Sequence, residues 1–367
     1  MYFVFKLLFL SNKLRIVNLV AIKFLRKMRK GKITIHDISK ALGIDSSTVS
    51  RALNNSPRVT TKTRAKILKE AEKLGYQRNS LAAKLRSNKT NTIGVIVPRI
   101  SRHFFASVIA GIEETAYDAG YEVIICQSLE SLEREKKIVE TLLSNRVDGV
   151  LISISMETTN YDHFDNYKNN GFPLIFFDRP CNVSKYTNVI INDFQVSFNA
   201  TEYLILNGCK NIVHFSGPQE LELYRRRKKG YVKALEKYQI EIKEEYIIES
   251  KLMKADGIEN AKKVLNLPKV DGVFSANDTT AISAMQYLKS ENVKIPEDIA
   301  FVGFSNEPIS AVIEPSLTTV KQPDFEMGKE ATLLLFEQIN NKTDIKENQT
   351  KFLEPKLIIR NSTNNKV

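Results

Sequence analysis

Cysteine is scarce: the 367 residues hold three, Cys126, Cys181 and Cys209, far apart and with no CxxC pair. That spacing excludes a zinc ribbon or a disulfide framework and fits a reducing cytoplasm. The four histidines, His36, His103, His163 and His214, are scattered, so no metal site is expected. HExxH, GxSxG and GxxxxGK[ST] are all missing, and no nucleophile can be paired with a base. The expectation is a protein that is not an enzyme and needs no cofactor. Long apolar runs are missing too. Even the apolar first 30 residues are broken by Lys6, Lys13, Arg15 and Lys23, short of the ~20 apolar residues of a membrane span, so no membrane partner is expected.

Acidic charge is absent from one end. Residues 1–30 hold eight Lys/Arg and no acid, and residues 31–91 hold thirteen Lys/Arg and four acids. Of the net +12, residues 92–367 therefore carry −5. A basic head on a mildly acidic body suggests one module for a polyanion and another for something else. Residues 1–30 read as an extension outside the fold, with Met28 the expected start of translation. The alternative is a basic amphipathic surface anchor.

The pattern of a small helical head begins at Thr34, a natural N-cap with Asp37 three residues on. Ile35, Ile38, Ala41 and Leu42 form an apolar stripe, and Gly43 stops the helix. Asp45 or Ser46 caps a second helix with Val49, Ala52 and Leu53 inward. Thr60 or Thr61 caps a third, running to Leu74 with an inner stripe of Ala65, Leu68, Ala71 and Leu74. Two short helices around a glycine-containing turn make a helix-turn-helix. The outer face of the second shows Ser46, Ser47, Ser50 and Arg51. Hydroxyls at a helix start reach phosphates or base edges, and an Arg one turn later can bond guanine twice.

These residues resemble the lac-repressor (LacI/GalR) family. The opening motif is carried by Thr34, Ile35, Asp37, Ile38 and Ser39, and the recognition segment by Gly43, Ile44, Thr48, Val49, Ser50, Arg51, Leu53 and Asn54. Val59, Thr60, Thr63 and Arg64 follow, then Leu74-Gly75-Tyr76. Ser39 and Asp45 depart from the usual Ala and Ser. The resemblance implies base reading by Ser46, Ser47 and Arg51. It implies phosphate contacts by Thr34, Ser50, Asn54, Thr60 and Tyr76, which position the head without selecting sequence. Residues 31–78 are thus expected to be the DNA-binding domain. Residues 79–91 are expected to form a hinge helix and linker, too short to be stable alone. By the resemblance, Leu85 wedges into the minor groove and Ala82 permits close approach.

From residue 92 to 363 apolar runs alternate with amphipathic segments. The runs are Thr92–Val97, Tyr121–Ile125, Gly149–Ile154, Leu174–Phe177, Asn211–Phe215, Gly272–Ser275 and Ile299–Phe304. Such alternation implies parallel sheets with helices on both faces, here enough for two doubly wound subdomains. Ligands in such sheets bind just past the strand ends, which directs attention to 99–105, Asp178-Arg179, Asn277-Asp278 and Ser305-Asn306. The resemblance extends here through Phe177–Pro180, Gly217-Pro218, Arg227, Gly230, Tyr231, Asn277-Asp278, Ile295–Phe304 and Leu317–Pro323. Cys209 replaces the family's histidine. The implied body is periplasmic-binding-protein-like, a ligand-binding and dimerisation domain. Its first subdomain is expected at about 92–190 and 305–320 and its second at about 193–303 and 323–360. Crossings are expected near Ile191–Asp193, Gly303–Asn306 and Val320–Pro323. Phe104 and Phe105 would stack on an effector, Arg227 and Asp278 would bond its hydroxyls, and Asp178 would face them. The implied function is a cytoplasmic, nucleoid-associated, homodimeric transcription regulator, expected to be a repressor of a near-palindromic operator. A sugar is the first expectation for its effector, with a purine or a phosphoprotein partner as alternatives.

Overall fold

The computed structural model describes residues 33–76, 89–169, 171–181, 185–340 and 348–363. The extension 1–30 with Met28, and the hinge residues Ala82 and Leu85, lie outside the described residues. The chain divides into two units, one ending at Ala83 and the other beginning at Lys84.

Three helices form the described part of the first unit: α1 (Ile35–Leu42), α2 (Ser46–Leu53) and α3 (Thr61–Leu74). The Asp37 carboxylate accepts both the N–H and the O–H of Thr34 at 2.8 Å, which locks the first turn of α1. Gly43, at φ 64°, closes that helix in a left-handed conformation that costs glycine little. Asp45 caps α2 by accepting the Ser47 N–H at 2.7 Å, and Thr60 caps α3 through the Thr63 N–H at 3.3 Å. Ile38, Val49, Ala52, Val59, Ile67 and Ala71 make the core. The inner stripe expected on α3 is therefore corrected. Ala65 is exposed and Leu68 is 47 % exposed, whereas Ile67 is fully buried. Shifting by one residue turns a helix by about 100°, and the β-branched Ile67 takes the interior. Ala41 of α1 is also exposed.

The second unit holds two six-stranded sheets among its described residues. The first contains β1 (Thr92–Val97), β2 (Glu122–Gln127), β3 (Gly149–Ile152), β4 (Leu174–Phe177), β5 (Thr187–Ile191) and β11 (Thr350–Leu353), in the order β11-β5-β4-β3-β1-β2. The second contains β6 (Ile212–Ser216), β7 (Ile247–Glu249), β8 (Gly272–Ser275), β9 (Ala300–Phe304), β10 (Thr318–Lys321) and β12 (Lys356–Ile358), in the order β12-β10-β9-β8-β6-β7. The β10–β12 pair is antiparallel, and the rest are parallel. Burial of all six residues of β1 is what a central parallel strand covered on both faces requires. The helices α4 (His103–Asp118), α5 (Leu132–Ser144) and α6 (Asp162–Asn169) accompany the first sheet. The second has α7 (Asp193–Leu206), α8 (Glu222–Lys237), α9 (Lys254–Asn266) and α10 (Asp278–Ser290). Cys209, where the resemblance leads one to expect histidine, is buried, and its thiol reaches the Asp271 carbonyl at 3.4 Å.

The expected subdomain boundaries need correction. β9 and β10 are parallel neighbours in the second sheet, so the chain does not cross over at Gly303–Asn306. Residues 305–320 belong to the second subdomain. After the crossing at 320–323, α11 (Asp324–Asn340) packs on α4 and β11 pairs with β5, so 324–340 and 350–353 return to the first. The third crossing falls between Leu353 and Lys356, and β12 with Arg360–Thr363 goes back to the second, where Ser362 bonds Phe301 and Thr318. β7, β10 and β12 are short and not fully buried, so they lack the continuous apolar run that marks the equally short β4 and β8.

Where α4 meets α11 the backbones touch through glycine. A Cβ at Gly328 would overlap the Val108 carbonyl oxygen, and one at Gly111 would overlap that of Phe325. Backbone cannot rotate away as a side chain can. Gly328→Ala is expected to destabilise the body by about 1–3 kcal/mol or more, read as a lower urea midpoint. A midpoint equal to that of the unaltered protein would contradict this packing.

Candidate functional site

On the head, Ser47 and Arg51 are exposed one turn apart on α2. Arg51 makes no hydrogen bond or salt bridge among the described residues, so its guanidinium is available to an outside partner. Ser46 is half-buried, with Oγ 3.0 Å from His36 Nδ1. The five residues expected on phosphates all have internal duties. The Thr34 hydroxyl donates to Asp37, and Thr60 caps α3. Asn54 donates its amide to the Ser50 carbonyl at 2.9 Å. Tyr76 packs on the edge of the core, and Ser50 is half-buried. The single O–H of Thr34 is given to Asp37 and that of Thr60 to Thr63 Oγ1, so each must turn its proton outward to reach a phosphate oxygen. Arg64 of the recognised motif is structural: its guanidinium donates to the Ser56 carbonyl at 2.6 Å and ties down the loop before α3.

In the second unit a cavity of about 470 Å³ opens between the two subdomains, within the range of small-molecule sites. Phe104, Phe105, Asp178 and Arg227 all line it. Phe104 and Phe105 meet edge to face with centroids 5.1 Å apart and belong to the core as well as the cavity wall. Arg227 is held in three ways. Nε donates to Asp193 at 2.8 Å, Nη1 donates to the Ala276 carbonyl at 2.9 Å, and the guanidinium lies 3.5 Å from the Phe304 centroid. Two of its five N–H donors are thereby used. Burial pushes the Asp193 carboxyl up, against the pull of Arg227.

Asp178 takes φ 62° at the end of β4, a left-handed conformation unfavourable for a residue with a Cβ. Ser305 and Asn306, at the end of β9, are also left-handed, at φ 109° and 50°. Such strain clusters where side chains must be aimed. Burial raises the Asp178 carboxyl to about 6, with Arg179 and Arg227 pulling the other way. Arg179, its sequence neighbour, belongs instead to Glu130, donating to it at 2.7 and 3.1 Å. Burial alone would raise Glu130, but Arg179 outweighs it and holds that carboxyl below the ordinary range.

Asp278 does not line the cavity, although its neighbours Asn277 and Thr279 do. Its fully buried carboxylate accepts the Thr319 hydroxyl at 2.6 Å and the Glu307 N–H at 2.8 Å. Asp278 therefore positions the loop carrying Ser305 and Glu307, which do line the cavity. The expected direct hydrogen bond from Asp278 to a ligand is corrected on this ground. Residues past other strand ends that sequence reasoning left out are Glu130, Lys251 and Gln322.

Burial lifts Asp278 to about 7, against its two donors. The folded form therefore keeps a proton that the unfolded chain releases near its ordinary 3.8. The stability from this group falls as pH rises from about 4 to 7 and is level above that, by about 4 kcal/mol at most. Asp278→Asn is expected to flatten the decline of the urea midpoint across that window. Identical slopes in both proteins would show that Asp278 is not the group titrating.

A helix-turn-helix head followed by two parallel-sheet subdomains with a cavity between them defines a class of ligand-responsive regulators. Residues 34–79 match the family described as bacterial regulatory proteins, lacI family, and residues 201–363 match the periplasmic binding protein-like domain. Catabolite control protein A of Priestia megaterium is 32% identical over 313 residues, 85% of this chain and 94% of that protein. A lac repressor dimer bound to operator and the anti-inducer ONPF superposes with TM-score 0.80 and 25% identity, over 91% of this chain and 99% of that one. The transcriptional regulator CelR–cellobiose complex gives TM-score 0.69 and 26% identity, over 90% of this chain and 100% of that one. The chain belongs to the lacI family of bacterial regulatory proteins. Among the described residues no helix is long and apolar enough to cross a membrane.

Proposed function

We propose that this chain is a homodimeric repressor of a near-palindromic DNA site, released or recruited by a sugar or sugar derivative in the inter-subdomain cleft. The observation that carries the reading is the cavity built by loops of both subdomains beside the chain crossings. A ligand there touches both halves, so its affinity depends on how they are set, and that difference is what shifts a population. The aromatic pair Phe104–Phe105 beside Asp178 and Arg227 suits a ring with apolar faces and hydroxyl edges. The cellobiose held by the CelR relative supports a sugar.

On the head, Ser46, Ser47 and Arg51 read bases, and Thr34, Ser50, Asn54, Thr60 and Tyr76 hold phosphates. Two heads on a two-fold axis place their recognition helices about one DNA turn apart. The test is duplex selection from a random pool by the full chain, followed by titration of the selected duplex with common sugars. A palindromic consensus and a ligand-dependent change of about 5–150-fold in DNA affinity are expected. Failure to retard any duplex at about 100 mM salt, where even non-specific binding by basic heads persists, would overturn the reading.

A further inference from the structure

We propose that the effector carries an anionic group, a phosphate or carboxylate on the sugar, seated at the cleft mouth between Arg99, Arg102 and Lys251. This rests on the sugar-effector reading and specifies it. The three cations come from both subdomains and line one cavity. Arg102 lies just before α4, and its guanidinium spans the cleft. Nη1 donates to the Thr279 hydroxyl at 2.6 Å, and Nη2 lies 3.4 Å from Met253 Sδ, on the loop that carries Lys251. Its partners are thus an alcohol and a thioether. The side chains of Arg99 and Lys251 make no hydrogen bond or salt bridge among the described residues.

The deeper charges are already matched: Glu130 holds Arg179, and Asp193 holds Arg227. Glu157 is engaged with the Leu132 N–H at the start of α5. Asp178, at the end of β4 and 3.8 Å from Arg179, and Glu307, on the loop after β9, are the remaining lining carboxylates. The backbone adds positive character. Both α4, of 16 residues and without a side-chain cap, and α10, of 13 residues, start at this cavity. Asp278, in the first turn of α10, does not cancel this, because its carboxylate is turned to Thr319 and Glu307 and burial favours its protonated form. Gln322, only 4 % exposed and lining the same cavity, leaves its amide oxygen without a partner. That oxygen can accept a sugar hydroxyl while the cations take the anion, so the cavity holds complements for both ends of one molecule. Charge-assisted bonds of this kind are the stronger ones.

The test titrates the full chain by calorimetry with matched sets: glucose, glucose 6-phosphate and glucuronate; ribose and ribose 5-phosphate; fructose and fructose 1-phosphate. At least one charged member is expected to bind tenfold or more tighter than its neutral parent, with Kd weakening as salt rises. Lys251→Ala and Arg102→Ala are each expected to cut that advantage at least fivefold. If a neutral sugar binds and no charged partner exceeds it, the anionic inference falls while the sugar reading stands. An advantage that survives both substitutions would refute the assignment to this mouth. Binding by no member of any set would overturn the sugar reading and this inference together.

Discussion

Arg51→Ala is expected to abolish discrimination between operator and unrelated duplex while leaving the protein folded and able to bind its effector. The side chain is exposed and makes no hydrogen bond or salt bridge among the described residues, so its loss should change stability by no more than about 0.5 kcal/mol. A bidentate Arg–guanine pair is worth about 1–3 kcal/mol of discrimination. Two heads double that, which amounts to a loss of roughly 30-fold to 10⁴-fold in operator affinity. Non-specific binding survives, because lysines elsewhere on the head supply it. Fluorescence anisotropy on the selected operator and on a scrambled duplex, at several salt concentrations, reads the effect. A phosphate-contacting Arg51 would behave differently: affinity would drop equally on both duplexes, and the salt slope would shrink by about one per head. That outcome, or an unchanged ratio, refutes base reading by Arg51. Ser47→Ala removes one hydroxyl from the same face and should cost only about 0.5–1.5 kcal/mol per head.

The head was legible in sequence because its signals are local. Thr34 with Asp37, Gly43, Asp45 and Thr60 each act within a turn of where they stand, and all act as their positions imply. Ile67 was missed because two stripes one residue apart compete on α3, and only the packed partner helices decide between them. In the body, long buried runs such as β1 announce themselves. β5 is just as buried, yet it begins with the polar Thr187-Asn188, which mask it. The cavity residues Phe104, Phe105 and Asp178 follow from looking past strand ends, and Arg227 from the family resemblance. The same rule applied to β2 leads to Glu130, whose meaning depends on Arg179, 49 residues away. Asp278 shows the limit of the rule. A motif places a residue at a helix start, but only the neighbouring β10 and the loop after β9 determine that its carboxylate turns away from the cavity.

Arg227→Ala is expected to combine the largest loss of stability with loss of effector response, and the two effects can be separated. Both Arg227 and Asp193 are nearly fully buried, with side chains 5% and 3% exposed. Removing the cation leaves a buried carboxylate without its counter-charge, at a cost of about 3–5 kcal/mol, which lowers Tm by on the order of 10 °C. The stacked face of Phe304 and the Ala276 carbonyl lose their partner as well. Arg227 lines the cavity with three N–H donors not used on Asp193 and Ala276, and a charge-assisted bond to ligand is worth about 1.5–3 kcal/mol, so affinity should drop by roughly 10–100-fold. Asp193→Leu with Arg227→Met removes both charges at once and should recover much of the stability, since replacing a buried pair with apolar groups is often neutral. It should not recover ligand binding. Calorimetry of effector binding, run below the Tm of each variant, distinguishes the roles. Should the double variant bind effector as the unaltered protein does, Arg227 is only a strut between α7, α8 and the end of β8, and the cleft must hold its ligand by other groups. Operator binding by the ligand-free variants is the control, because the recognition face of α2 lies in the other unit and contains none of these residues.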